Sequence, residues 1–206
     1  MLESALKTSN QINIMQNKLA GVVLLFTLLS INLAAPTLSA AANADRFTVA
    51  GKLLANIDQA TWFSEGKSPH VIYVFFDPNC PYCHRIYTET RAQVKQNAIQ
   101  IRWVPLGILA TTSHGKAISI LDARNPLNAF YENEDGYSAS DGGAIDEALD
   151  GTDKAKRALD RNADLLKMAG FDAVPSILFR ANNGQAILIH GAPPADRFKK
   201  ILRYVQ

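Results

Sequence analysis

A run of six apolar and aromatic residues, Val71–Phe76, lies between Pro69 and Pro78. Its composition is typical of a β-strand that is buried on both faces. Residues 83–98 then have a composition compatible with a helix, and Gln100–Pro105 is a second apolar strand candidate. A strand, a helix and a strand in this order predict a parallel crossover unit.

The chain between residues 113 and 170 has an interrupted helical pattern. Within it, residues 132–143 are acidic and rich in glycine, which predicts a surface loop. Farther along, Asn182-Asn183-Gly184 is a strong turn signal between two short apolar runs, which predicts a hairpin. The predicted helices of this half are residues 116–124, 126–131, 154–169 and 194–205, and the predicted hairpin strands are residues 176–179 and 185–190.

The order of these elements predicts an α/β fold with a mixed central sheet. It matches a thioredoxin-like fold in which helices are inserted between the second strand and a later proline loop. We therefore expect residues 67–206 to form one thioredoxin-like domain. Residues 45–66 have apolar positions spaced along one face and are expected to form a linker-like helix ahead of it.

The N-terminal part of the chain has a different character. An almost uncharged apolar run from Leu19 to Leu33 follows Lys18 and precedes small, alanine-rich residues, which is the pattern of a secretory signal peptide. About 15 apolar residues are fewer than the roughly 20 that a membrane-spanning helix needs, so a cleaved signal over residues 1–44 is favoured over a retained anchor. The cleavage points that fit are those after Ala40, Ala42 and Ala44.

The signal peptide predicts export to the periplasm, an oxidising compartment. Glu3 is unusual ahead of such a signal, which indicates that translation starts at Met15. The net charge of the whole chain is only +2, with acidic and basic residues interspersed. No basic stripe is available to neutralise a row of phosphates, so nucleic acid is not an expected partner.

The chemistry of the chain is concentrated in the run Cys80-Pro81-Tyr82-Cys83, which contains its only two cysteines and follows the first strand directly. Pro81 is compatible with the first turn of a helix, where a missing N–H does no harm. A helix N-terminus favours negative charge and lowers the pKa of a thiol, so Cys80 is the predicted nucleophile. Cys83, three residues on, lies on the same helix face and is the predicted resolving cysteine.

Two other interpretations of the cysteine pair are weaker. A disulfide across so short a loop constrains the unfolded chain little, so its value as a staple is small. A structural zinc site needs four ligands, and only His84 is adjacent. A metal site is therefore not expected.

A second candidate element is Val174-Pro175, directly before a strand. X-Pro bonds are the ones that adopt the cis form, and we hypothesise a cis bond that brings the Val174 backbone beside Cys80. An ordinary trans proline is the alternative. The free backbone groups of such a loop would pair with an extended peptide, so Val174, Pro175 and Tyr82 are the predicted substrate contacts.

Residues 71–83 (VIYVFFDPNCPYC), preceded by residues 62–67 (WFSEGK), resemble the catalytic domain of the DsbC/DsbG family of periplasmic disulfide isomerases, its DsbG branch most closely. The similarity runs from about residue 60 to the end of the chain. It implies a thioredoxin fold, a cis-proline loop at Val174-Pro175, and exchange with misoxidised or sulfenylated secreted proteins without a dissociable cofactor. It also implies a membrane redox partner that recharges the cysteine pair.

The chain departs from that family in two ways. Members carry a separate N-terminal dimerisation domain, whereas the residues between the predicted cleavage sites and Trp62 are too few for an independent core. A monomer is therefore favoured. The family usually has Thr before the proline, and Val174 is instead the residue of DsbA-type oxidases, which would shift the redox potential towards oxidase behaviour.

These observations predict a periplasmic thiol:disulfide oxidoreductase that acts on misoxidised or reduced secreted proteins through a mixed disulfide. A peptide-binding holdase or adaptor with an inert disulfide is the alternative, and the signal peptide opposes a cytosolic glutaredoxin. Asp77 is interpreted either as a proton relay or as a cap of its turn, with the cap favoured. His84 either tunes the resolving thiol or is an ordinary exposed histidine.

Overall fold

A computed structural model of the chain describes residues 48–206. The predictions for residues 1–44, including a start at Met15, lie outside the described residues. None of the helices within residues 48–206 is long and apolar enough to cross a membrane.

The described residues form five strands and six α-helices, with three consecutive helices between β3 and β4. The bounds are α1 Val49–Ala55, a 3-10 turn Ile57–Gln59, β1 Phe63–Glu65, β2 Val71–Phe76, α2 Pro81–Lys95, β3 Gln100–Pro105, α3 Ser113–Asp122, α4 Pro126–Asp135, α5 Asp153–Met168, β4 Ser176–Arg180, β5 Ala186–His190 and α6 Ala195–Leu202.

The strands of the described region form one five-stranded sheet in the order β1-β3-β2-β4-β5. Strands β2 and β3 are parallel and joined by α2, as the predicted crossover requires, and the other pairs are antiparallel. Helices α3, α4 and α5 form the insertion between β3 and β4. The predicted mixed sheet with a helical insertion is confirmed.

Both faces of the sheet are covered, which explains why β2 is apolar along its whole length. Val74 and Phe76 belong to one buried cluster with Ile86 of α2 and Phe130 of α4. Phe75 points the other way, into a second cluster built with α1 and α5. The strand that leads to the cysteine motif is therefore held in the centre of the domain.

The prediction of a single helix over residues 45–66 was wrong. Helix α1 ends at Ala55, and residues 63–65 form the edge strand β1, with Phe63 opposite Trp103 of β3. A three-residue strand is too short to show a period in the sequence, and its pairing partner lies about forty positions away, beyond any local pattern. Leu53 of α1 is buried under the sheet, so the described part of this segment packs on the domain.

Two helix boundaries in the insertion also differ from the prediction. Helix α3 begins at Ser113 instead of residue 116, and α4 continues to Asp135, well into the predicted surface loop. The last turn of α4 is polar because it carries Asn133 and Glu134, yet both side chains are buried. A helix end with buried polar residues cannot be distinguished from a surface loop by its sequence pattern.

Glu65 of β1 links four elements through one buried carboxylate. Arg91 of α2 donates two guanidinium N–H groups to it, and Trp103 Nε1 donates at 2.9 Å. The Tyr131 hydroxyl of α4 donates at 2.8 Å, so the insertion is tied to the sheet. A buried carboxylate is tolerated only when it is paired and hydrogen-bonded in this way.

Replacing Arg91 by Ala should lower the free energy of unfolding by about 3 kcal/mol, because it leaves the Glu65 carboxylate buried without its charged partner. Arg157→Ala is the matched control, since Arg157 and Asp153 form an exposed pair at 4.0 Å. We expect that control to change stability by less than about 0.5 kcal/mol. Urea unfolding followed by circular dichroism measures both, and equal losses would contradict the interpretation.

Candidate active site

The turn between β2 and α2 is held by the carboxylate of Asp77, which is fully buried. Oδ1 accepts hydrogen bonds from the Asn79 backbone N–H (2.9 Å) and the Ser113 hydroxyl (2.7 Å). Oδ2 accepts from the backbone N–H groups of Ile108 (2.7 Å) and Leu109 (3.0 Å). All of its acceptor positions are occupied. The favoured interpretation, that Asp77 caps its turn, agrees with this geometry.

Cys80 is the N-cap of α2, and Pro81 is the first helical residue, as predicted. Cys80 Sγ accepts a hydrogen bond from the Cys83 backbone N–H at 3.2 Å. The hydrogen bond from the Cys83 side chain lowers the pKa of the Cys80 thiol and outweighs its burial, which acts in the opposite direction. The backbone N–H groups of Cys83 and Tyr82 lower it further. The helix start therefore favours a thiolate at Cys80.

Cys83 lies in the first turn of α2 and is buried. Burial raises the pKa of its thiol well above the ordinary value, and the hydrogen bond to Cys80 and the charge there raise it further. Both residues are free thiols in the structure. The pair is asymmetric, because the pKa of the Cys80 thiol is lowered and that of the Cys83 thiol is raised. No three His, Cys, Asp or Glu side chains within residues 48–206 are grouped to hold a metal ion.

The Val174-Pro175 peptide bond is cis, which confirms that hypothesis. The Val174 carbonyl oxygen lies 3.7 Å from Cys80 Sγ, so the loop before β4 faces the cysteine pair. The Val174 backbone N–H has no hydrogen-bond partner among the described residues. Tyr82 stands beside Cys80 with 57% of its surface exposed. The structure thus brings all five predicted site residues together.

His84 is neither free nor fully exposed. Its Nδ1 lies 3.0 Å from Glu134 Oε2, and its ring stacks on that of Tyr137 with centroids 4.4 Å apart. Burial lowers the pKa of the His84 imidazole. Burial also raises the pKa of Glu134, to about 8, although a hydrogen bond from Asn133 acts in the opposite direction. Sequence reasoning missed Glu134, because it lies in a stretch that resembles a surface loop.

The helical insertion also forms hydrogen bonds with Asn79, the residue before Cys80. Asn79 Nδ2 donates to the hydroxyls of Thr112 and Ser113, each at 3.0 Å, and its Oδ1 accepts from Lys116 Nζ at 3.0 Å. Lys116 Nζ also donates to the carbonyl of Gly143 at 2.6 Å. A Cβ at Gly143 would lie 2.0 Å from the side chain of Asn133, so the chain can pass here only as glycine. The glycines of the predicted loop were the one sequence signal of this close approach.

Comparison with known proteins places this geometry in context. A family model for a thioredoxin-like domain matches residues 58–206. The chain is 28% identical over 156 residues to the thiol:disulfide interchange protein DsbG of Pseudomonas aeruginosa, covering 75% of this chain and 60% of that protein. It is 26% identical over 140 residues to DsbG of Escherichia coli K12, covering 66% and 55%. The chain therefore spans little more than half the length of these curated relatives, and the predicted resemblance is confirmed.

Solved structures support the fold. The compact form of ScsC from Proteus mirabilis superposes with a TM-score of 0.60 at 16% identity, covering 95% of this chain and 96% of that one. The thiol-disulfide exchange protein α-DsbA2 from Wolbachia pipientis superposes with a TM-score of 0.57 at 17% identity, covering 80% and 97%. Identities this low show the fold alone. Since the family model covers more than half of the sequence, the chain belongs to the thioredoxin-like domain family.

Proposed function

We propose that the protein is a periplasmic thiol:disulfide oxidoreductase that exchanges disulfides with secreted proteins through Cys80 and Cys83. The observation that carries the proposal is the asymmetry of the pair, in which the pKa of the Cys80 thiol is lowered and that of Cys83 is raised. Exchange requires a thiolate that attacks the substrate disulfide and a second thiol that later resolves the mixed disulfide. The DsbG relatives are named thiol:disulfide interchange proteins, which supports the same chemistry.

In one of its two directions, the exchange reduces a substrate disulfide. The Cys80 thiolate attacks one sulfur of a substrate disulfide, and the other sulfur leaves as a thiolate. Cys83 then loses its proton and attacks Cys80 Sγ, which forms the Cys80–Cys83 disulfide and releases the second substrate thiolate. The cysteine pair is oxidised by two electrons and the substrate is reduced by two. The reverse sequence oxidises a substrate dithiol, and a membrane redox partner would restore the starting state in either case.

The substrate would bind as an extended segment along the Val174-Pro175 loop. The Val174 carbonyl is 3.7 Å from Cys80 Sγ, and its N–H is unpaired within the described region, so both groups can pair with a peptide backbone. Tyr82, two residues after Cys80, adds an exposed aromatic ring. A binding mode made mostly of backbone contacts accepts many sequences, which suits misoxidised or reduced secreted proteins as a substrate class.

The Cys83→Ala variant should accumulate mixed disulfides with periplasmic proteins, because Cys80 can still attack and nothing resolves the product. The adducts are detected on non-reducing gels after acid quenching and thiol blocking, and they disappear on reduction. Cys80→Ser is the matched control and should form none. A holdase with an inert disulfide predicts no adducts in either variant and full binding activity in Cys80→Ser.

The alkylation rate of Cys80 by iodoacetamide should reach half of its maximum at a pH below that of an ordinary cysteine, because only the thiolate reacts and its pKa is lowered. In Cys83→Ala the midpoint should move to higher pH, since the hydrogen bond from the Cys83 side chain is the main cause of the lowering. Mass spectrometry of quenched samples gives both profiles. An unchanged midpoint in Cys83→Ala would contradict this assignment.

Tyr82→Ala should lower kcat/KM for a disulfide-containing peptide by about 10-fold, the effect of losing an aromatic contact worth about 1.4 kcal/mol. Tyr204→Ala is the matched control, because Tyr204 is 59% exposed on the C-terminal segment. That variant should retain the wild-type value. Equal values for the two variants would remove Tyr82 from the substrate site.

A further inference from the structure

Glu134 is a buried carboxyl group that the exchange chemistry described above does not use. Only 2% of the residue is exposed. Oε1 accepts a hydrogen bond from Asn133 Nδ2 at 3.1 Å, and Oε2 lies 3.0 Å from His84 Nδ1. Among the described residues its one ion-pair partner is His84, itself a titratable group. A buried carboxyl group without an arginine or lysine is costly, so a function is expected of it.

The second half of the exchange reaction needs such a group. Cys83 must lose its proton before it can attack, yet its thiol is buried and its pKa is raised well above the ordinary value. Bulk water does not reach it. A proton acceptor inside the domain is required, and a group whose pKa lies near the operating pH is the most effective one.

The buried carboxyl groups of the described region are those of Glu65, Asp77 and Glu134. Asp77 has both oxygens filled by four donors, and Glu65 is neutralised by Arg91 and two further donors. Neither has a free position for a proton. Of the three, only Glu134 has an oxygen within hydrogen-bond distance of His84, a side chain that can accept or release a proton.

Electrostatics connects Glu134 to both cysteines. The charge at Glu134 contributes to the raised pKa of Cys83, and the charge at Cys80 contributes to the raised pKa of Glu134. Of the other charged groups that act on Glu134, Arg91 on α2 lowers its pKa and Asp135 on α4 raises it. When Cys80 enters a mixed disulfide its charge disappears, so the pKa of Glu134 falls. Loss of that charge shifts Glu134 towards its carboxylate form in the step that deprotonates Cys83.

We propose that Glu134 accepts the proton of Cys83 in the resolving step and that His84 carries this proton to solvent. The proposal rests on the disulfide exchange proposed above. No hydrogen bond joins Glu134 and Cys83 in the reduced structure, so a side-chain rotation or one bridging water molecule would have to complete the path. The side chain of His84 is 28% exposed, which gives the proton an exit.

The Cys83 S–H bond breaks and its proton goes to the Glu134 carboxylate, while the sulfur lone pair attacks Cys80 Sγ. The Cys83–Cys80 bond forms as the Cys80–substrate S–S bond breaks, and the electron pair leaves on the substrate sulfur. Glu134 passes its proton to His84, which releases one to solvent. In substrate oxidation the steps reverse, and protonated Glu134 returns the proton to Cys83 as it leaves.

A two-phase reaction separates this step from the attack of Cys80. The reduced full chain in excess reacts with dithiobis(nitrobenzoate), a symmetrical disulfide whose thiolate product absorbs visible light. The first equivalent of product reports attack by Cys80, and the second reports resolution by Cys83. Stopped-flow absorbance resolves the two rate constants across a range of pH.

Glu134→Gln should slow the second phase by at least about 10-fold near neutral pH without slowing the first, because loss of the Glu134 charge can only favour the Cys80 thiolate. The difference should shrink as pH rises towards the pKa of Cys83, because the thiol then ionises without help. Glu132→Gln is the matched control, an exposed carboxylate on the same helix, and should match the wild type in both phases. His84→Gln, which changes a partly exposed side chain, should also slow only the second phase and serves if Glu134→Gln does not fold.

An unchanged second phase in Glu134→Gln at every pH would overturn the proton route. So would equal slowing of both phases, because that result assigns Glu134 a structural role. A wild-type protein without the first phase would instead refute the exchange chemistry itself, so the two failures are distinguishable.

Discussion

The buried carboxylate of Asp77 is the interaction on which the geometry of the site depends. Its four hydrogen bonds join the end of β2 to the loop after β3 and to the first residue of α3. Burying a carboxylate is costly unless every acceptor position is filled, so these three segments are held in one arrangement. The turn that leads into Cys80 is thereby fixed before the helix begins. The position of the Cys80 sulfur at the N-terminus of α2 follows from that arrangement. There the Cys83 side chain, and then the backbone N–H groups of Cys83 and Tyr82, lower the pKa of the Cys80 thiol, although the charge of Asp77 acts in the opposite direction.

A second buried carboxyl group, Glu134, has the opposite relation to stability. Its pKa is about 8 in the folded protein, above the value of about 4.3 in an unfolded chain. The folded state therefore retains a proton that the unfolded chain releases, and the contribution of this group to stability falls as pH rises through that window. The ion pair of Glu65 and the four hydrogen bonds to the Asp77 carboxylate stabilise the domain, whereas Glu134 destabilises it near neutral pH. Functional sites are where such local costs are retained.

The features that could be predicted from the sequence are those encoded in neighbouring residues. The apolar run of β2, the helix start at Pro81 and the Asn182-Asn183-Gly184 turn each carry their signal within a few positions. The strand β1 could not be predicted, because its three residues form a strand only by pairing with β3. The role of Glu134 was equally hidden, since its partner His84 lies fifty positions away and a polar helix end resembles a loop. Contacts that are distant in sequence and polar in character leave no periodic pattern.

The helical insertion is consequently part of the site and not an addition to it. Through Ser113, Lys116 and Glu134 it holds the turn before Cys80 and places a titratable group beside the cysteine pair. In the proposed exchange, the sheet and the Cys-Pro-Tyr-Cys motif determine which sulfur attacks, because the position of Cys80 follows from β2 and the start of α2. The insertion sets the electrostatic surroundings in which the second sulfur must ionise. Two proteins with the same sheet and the same motif but different insertions would therefore share a nucleophile and differ in how they resolve the mixed disulfide.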